Sequence, residues 1–238
     1  MSKFYTEIAK YYDYIFPTEN AKLSLIRELV GDTPKDILDV ACGSGGYSKK
    51  LKELGYKVTA IDLDEAMISQ LKATDGEIDA RVLNMLDIDK LNKKFDLIFC
   101  IGNSLVHLND NEGILRFLEN CKKSLKVGGY LLLQIVNYDR ILVKNIKSLP
   151  VIENKEIGLT FERYYEYLPE KHKIDFKTIL KVDGLNLENH VLLHPITSKE
   201  LLGLLEELEY KNIKMYGDFK KNVYEPMKSL PLVVTAQA

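Results

Sequence analysis

The chain has 238 residues, 46% hydrophobic and 29% charged, a balance that excludes a disordered or low-complexity polypeptide. With 33 basic and 35 acidic residues the formal net charge is −2, so no global field favours nucleic acid or an anionic membrane, and no stretch reaches the roughly 18 apolar residues of a membrane helix. The cysteines Cys42, Cys100 and Cys121 are odd in number and far apart, which argues against a disulfide framework and against a structural metal site. The start, MSKFYTEIAKYY, has no apolar signal core, and a cytoplasmic protein is expected.

Apolar residues recurring at three and four predict helix over residues 2–30, broken at Pro17. After Gly31-Asp32-Thr33-Pro34, short apolar runs alternate with helical periods: strand 36–40, helix 47–54, strand 57–61, helix 65–72, strands 80–83 and 95–101, helix 111–125 and strand 130–136. Continuously apolar strands alternating with helices indicate a parallel sheet covered on both faces. The period then changes to two. Ile157, Leu159, Phe161, Tyr165 and Tyr167 alternate along one run, and Ile174, Phe176, Thr178, Leu180 and Val182 along a second, followed by Asp183-Gly184, a two-residue hairpin signal, and a third strand over 187–193. A capping box at Thr197 and Glu200 opens a helix over 201–208, and strands 213–216 and 230–235 close the chain. The expected fold is α/β: a doubly wound, Rossmann-like, seven-stranded, mostly parallel sheet with N-terminal helices and an inserted antiparallel β meander.

The most informative segment is DILDVACGSGG, residues 36–46: a strand ending in Asp39, a turn carrying Gly43 and Gly45, then a helix. Glycines at such a turn let the backbone approach a ligand where a Cβ would collide. Asp62 ends the second strand, where a carboxylate can accept from both hydroxyls of a ribose. A nucleoside is therefore expected at the carboxyl ends of the strands. A dinucleotide would want a third glycine where Ser48 stands, and Asp39 would sit badly beside phosphates. A ligand with an amine or sulfonium suits this acidic mouth.

DVACGSGG with Asp62 resembles the class I S-adenosylmethionine-dependent methyltransferases, over residues 35–136 and again in the last two strands. The resemblance implies S-adenosylmethionine as cofactor, with Asp39, Ala41, Gly43 and Gly45 along its methionine end, Asp62 on the ribose and Leu63 against the adenine. In NMLD, residues 84–87, it implies Asp87 accepting from the adenine amine, with Met85 and Leu86 covering the ring. Backbone around Ile101 would flank the methionine part. Asn103 and Ser104, at the same mouth, either contact the ligands or cap the short helix after them. His107 is the histidine nearest the site, a candidate base or a packing residue.

IGNSLVHL, VNYDRIL and YGDFK are similar to stretches of glycine N-methyltransferase and of bacterial glycine/sarcosine methyltransferases, and the insertion also resembles that of amino-sugar N-methyltransferases. This likeness implies that Asn137 contacts the substrate and is a catalytic candidate beside His107. The place of the family's carboxylate-gripping arginine, aligned on Pro195, holds His190, while Arg163 stands two strands earlier; both are substrate-contact candidates. The N-terminal helices resemble the family's lid, in which Tyr5 or Tyr12 would close over the cofactor. The division expected is residues 1–34 as helical lid, 35–137 and 196–238 as cofactor-binding core, and 138–195 as a cover over the substrate site.

The expected reaction is methyl transfer to a small-molecule acceptor, foremost an amine nitrogen, in a monomer or homodimer without nucleic-acid or membrane partners. Alternatives at this stage are O-methylation with His107 or His190 as base, methylation of RNA or protein, and an NAD-dependent oxidoreductase.

Overall fold

The structure is a computed structural model that describes residues 8–238. Residues 2–7 of the expected first helix, Tyr5 among them, lie outside the described residues. A 3-10 turn leads into α1 (Tyr12–Ile15), which ends just before Pro17, and α2 (Asn20–Val30) follows. The core then alternates as its sequence periods require: β1 (Asp36–Val40), α3 (Gly46–Glu53), β2 (Lys57–Asp62), α4 (Glu65–Thr74), β3 (Asp79–Val82), β4 (Phe95–Cys100), α5 (Asn111–Ser124) and β5 (Leu125–Val136). Five of these are parallel strands whose successive side chains go to opposite layers. In β1, Ile37 packs with Leu25 and Ile26 of α2 and Leu51 of α3, whereas Leu38 and Val40 pack with Ile114, Phe117 and Cys121 of α5. All three β1 side chains are fully buried, each contributing about 1.5–3 kcal/mol.

β5 begins five residues earlier than expected. Phe95 pairs with Leu125 but Leu97 with Tyr130, so the strand carries a bulge that leaves Val127 in solvent. Residues 138–193 form a second layer: α6 (Tyr138–Lys144), then β6 (Ser148–Asn154), β7 (Leu159–Leu168), β8 (Lys173–Val182) and β9 (Leu185–Leu193), a four-stranded antiparallel sheet in that order. The meander therefore has a fourth strand beyond the three legible in the sequence. β6 carries Pro150, which cannot donate to a ladder, and its register slips between Leu149 and Ile152; both features confine it to an edge. The hairpin between β8 and β9 has Asp183 at φ 51° and Gly184 at φ 75°, as its sequence requires. α7 (Ser198–Glu207) opens on the expected capping box, and β10 (Lys211–Tyr216) and β11 (Pro231–Gln237) complete the core sheet.

The seven strands lie in the order β10-β11-β5-β4-β1-β2-β3, with β11 antiparallel to both neighbours. Strand order reverses between β1 and β4, and open α/β sheets hold ligands beyond the carboxyl ends of strands at such a switch point. The inner face of the inserted sheet is anchored at two ends. Leu159, Phe161, Leu180 and Val182 pack on Ile8, Tyr11 and Ile15 of the N-terminal segment, while Tyr165, Ile174 and Leu193 join the core beside Tyr138 and Ile141. Among the described residues no helix is long and apolar enough to cross a membrane.

Candidate active site

β1 ends at Val40, and the chain turns through Ala41 (φ 57°), Gly43 (φ 55°) and Gly45 (φ 77°) into α3. The two glycines have different reasons. A Cβ on Gly43 would stand 2.8 Å from the Tyr12 ring, whereas one on Gly45 would collide with the Leu71 side chain of α4. Gly43 thus leaves room for the Tyr12 ring to lie against the loop, and Gly45 lets the loop lie on the helix behind it. The Gly43 N–H donates to Asp62 Oδ2 at 2.8 Å and the Asp64 N–H to Asp62 Oδ1 at 2.9 Å. Each carboxylate oxygen retains accepting capacity after one such bond. Asp64 in turn caps α4 through Ala66 and Met67. The Ser44 hydroxyl donates to Asp13 of α1, tying the loop to the N-terminal segment.

Asp39 is only 3% exposed and accepts from Ser48 Oγ at 2.6 Å. Burial pushes its carboxyl up to about 7; the Ser48 hydrogen bond opposes this and the charge of Asp62 adds to it. Burial also raises the Asp62 carboxyl, against the pull of its backbone donors. Two adjacent carboxyls short of solvation favour a cationic ligand.

These groups open onto one cavity of about 770 Å³ between the two sheets. Of the expected cofactor contacts, Tyr12, Asp39, Ala41, Gly43, Asp62, Leu63, Met85, Leu86 and Ile101 line it; Asn103, Ser104, His107 and Arg163 do so nearer the insertion. Gly45 is not on the wall, being packed on Leu71. Asp87 is not there either: its carboxylate pairs with Lys90 at 3.0 Å, one turn along, and Asn84 occupies that part of the wall. His107 is reachable by solvent, yet the concave protein surface around it lowers its imidazole below the usual value.

Two substrate candidates lie away from the cavity. Asn137 is 1% exposed and its amide is fully engaged, donating to the carbonyls of Pro226 and Ser229 at 2.8 Å each and accepting from the Arg140 N–H and the Tyr224 hydroxyl. It caps α6 and ties the C-terminal loop to the sheet. His190 sits on the outer face of β9, between Asp175 at 3.0 Å and Glu188 at 3.2 Å, which hold its imidazole above the ordinary value. Strand alternation places Asn189, not His190, on the inner face. Asn103 lines the cavity but spends its amide structurally, accepting from the Val136 N–H at 2.9 Å and donating to the Tyr138 hydroxyl at 3.1 Å.

Sequence reasoning missed Ser48 as the partner of Asp39, Gln134 and Thr178. Gln134 Oε1 accepts from the Gly102 N–H at 2.9 Å and holds the tip of β4. The signal available for both Gln134 and Thr178 was a polar residue at an inward position of an otherwise apolar strand.

A family described as "Methyltransferase domain" matches residues 37–129. The glycine/sarcosine N-methyltransferase of Aphanothece halophytica is 26% identical over 215 residues, 84% of this chain and 75% of that protein. The glycine N-methyltransferase of Rattus norvegicus is 34% identical over 122 residues, 44% of this chain and 42% of that protein. Among solved structures, the CcbJ methyltransferase from Streptomyces caelestis superposes with a TM-score of 0.82 at 16% identity, covering 98% of this chain and 97% of that one. The sugar N-methyltransferase KedS8 from Streptoalloteichus sp. ATCC 53650 reaches 0.73 at 16% identity, over 96% and 91%. The structural likenesses establish a shared fold. The spare acceptors of Asp62, the acid at Asp39 and the apolar Leu63, Met85 and Leu86 fit S-adenosylmethionine, with its ribose, cationic end and adenine. With the methyltransferase domain spanning the strands that build this loop, the chain is a class I S-adenosylmethionine-dependent methyltransferase.

Proposed function

We propose that the enzyme methylates an amine nitrogen of a small molecule held between its two sheets. One observation carries this reading: a single cavity has the glycine loop, Asp39 and Asp62 on one wall and the inner face of the inserted sheet, Arg163, Tyr165, Phe176 and Thr178, on the other. Donor and acceptor then share a space walled by the chain itself, residues 1–34 acting as lid and 138–195 as cover. The named activities of the Aphanothece halophytica and KedS8 enzymes, both N-methylations, favour nitrogen over oxygen.

Bound S-adenosylmethionine supplies a methyl group already activated on a sulfonium. In this reading Asp62 holds the ribose hydroxyls, Asp39 faces the cationic methionine end, and Tyr12 stands over Gly43 to exclude water. Leu63, Met85 and Leu86 cover the adenine, and Ile101 flanks the methionine chain. The protein's task is alignment at near-attack distance and a dry cavity rather than covalent chemistry. His107, whose imidazole pKa desolvation holds below its usual value, lines the cavity and in this reading would take the proton that an ammonium acceptor must lose before it attacks. The same histidine is what an O-methyltransferase would use. The test is S-adenosylhomocysteine release with a panel of amines, amino acids and amino sugars, with the product's methyl located by mass spectrometry. N-methyl product supports the reading; turnover that yields only O-methyl product overturns it.

A further inference from the structure

Where the inner face of the inserted sheet lines the cavity, one polar row crosses otherwise aliphatic and aromatic side chains. Arg163 of β7 pairs across the ladder with Thr178 of β8, and Thr178 with Asn189 of β9; all three line the cavity. On one side of this row Tyr165 and Phe176 stack at 5.1 Å, and on the other lie Phe161 and Leu180. Two buried side-chain atoms of the row, Arg163 Nε and Thr178 Oγ1, have no hydrogen-bond partner among the described residues, and Thr178 is only 2% exposed. Folding leaves such groups unpaired at a cost unless something else fills them.

The guanidinium is also held in place. Arg163 Nη2 donates to the Pro150 carbonyl of β6 at 2.7 Å, which fixes the fork against the edge strand. No carboxylate among the described residues forms an ion pair with it; its neighbour Glu162 points to the outer face and pairs with Lys181 at 2.7 Å. An arginine keeps its charge even when burial lowers its pKa. The row therefore offers a fixed cation with an open N–H, a hydroxyl one strand away, and apolar walls on either side. Across the cavity stand the carboxyls of Asp39 and Asp62.

We propose that the methyl acceptor is an amine bearing a carboxylate on an apolar body, and that Arg163 and Thr178 bind that carboxylate while Tyr165, Phe176 and Phe161 seat the body. The proposal rests on the methyl-transfer reading of the same cavity. Arg163 Nε–H and Thr178 Oγ–H each donate to the carboxylate, which satisfies both unpaired atoms. The amine then points across the cavity toward the acidic wall, where the methyl donor lies. Glycine has the charges but no body for the aromatic walls, and a neutral amino sugar leaves the guanidinium unpaired.

The test uses the full chain saturated with S-adenosylhomocysteine and measures binding of phenylalanine, tyrosine and leucine, each against its carboxamide, by calorimetry. The acids are expected to bind about tenfold or more tighter than their amides, the size of one charge-assisted hydrogen bond lost. Arg163→Gln should erase that preference and Thr178→Val should cut it several-fold, while affinity for S-adenosylhomocysteine stays within twofold of the parent and reports an intact fold. Equal binding of acid and amide, a preference that survives Arg163→Gln, or no binding of any acid at 10 mM, about the weakest affinity of interest, overturns the proposal. The two readings fail separately. N-methylation of amides as fast as acids removes the carboxylate site and leaves amine methylation standing, whereas selective acid binding followed by O-methyl product does the reverse.

Discussion

Ser48 Oγ donates to Asp39 Oδ2 across 2.6 Å, and both side chains are buried beneath the glycine loop. Because the Asp39 carboxyl lies at about 7 in the fold against 3.8 ordinarily, the native state holds a proton that the unfolded chain has released. The sign follows: this group's contribution to stability is fully present below pH 3.8 and is lost as pH rises through about 7. A cationic ligand binds best to the ionised carboxylate. Affinity for S-adenosylmethionine should therefore rise between pH 6 and 8 by up to about tenfold, with proton release on binding at pH 6. Titration calorimetry in buffers of different ionisation enthalpy measures both. In Ser48→Ala the carboxyl loses its donor, and the pH midpoint should move upward.

Asp62→Ala removes the acceptor for the Gly43 and Asp64 N–H groups together with the proposed ribose contact. Each charge-assisted bond is worth about 1.5–3 kcal/mol, so cofactor affinity should fall by at least about a hundredfold. Calorimetry with S-adenosylhomocysteine decides this, and undiminished affinity would count against the assignment of Asp62.

Gly45→Ala and Gly43→Ala should separate stability from binding. Gly45 has φ 77° and no room beside Leu71, so alanine there should cost about 2–4 kcal/mol and lower Tm by roughly 4–16 °C. Leu71→Ala in the same chain should recover part of the clash but none of the backbone strain. At Gly43 the obstacle is the far end of the Tyr12 ring, which can swing away. That variant should keep more of its Tm while binding cofactor more weakly, as read by thermal scanning and calorimetry.

Asn137→Ala deletes four hydrogen bonds, two of them to loop carbonyls from residues 226 and 229. At about 1 kcal/mol each net, the expected loss is roughly 4 kcal/mol, or a Tm lower by about 8–16 °C. Cofactor affinity in the folded variant should remain within about twofold. A variant of unchanged Tm would show that the loop is held by other means.

That Asp39, Gly43 and Asp62 line one cavity was readable because their placement is local. Asp39, Gly43 and Asp62 sit at strand ends, and strand ends follow from apolar runs and punctuation. The acceptor half depends on which face of a strand points inward and on contacts far apart in sequence. A one-residue shift separates His190, outside, from Asn189, inside, and an alignment on Pro195 could not resolve that. Asn137 was located correctly at the end of β5, but its partners are residues 224, 226 and 229, which no local pattern connects to it. Strand β6 escaped notice because Pro150 and a slipped register mask its period.

The cluster of Ile8, Tyr11 and Ile15 with Leu159, Phe161, Leu180 and Val182 joins the first helical turns to the inserted sheet, although some 140 residues separate them. Neither part has its own complete apolar interior. A shortened chain beginning at α2 would retain the whole parallel sheet yet bare that patch on the insertion, and exposed apolar surface of this kind drives self-association. A foreign insertion would meet a poorly fitting N-terminal segment, because the two halves of that cluster are shaped to each other. Grafting an acceptor site from a relative should therefore carry both pieces across together.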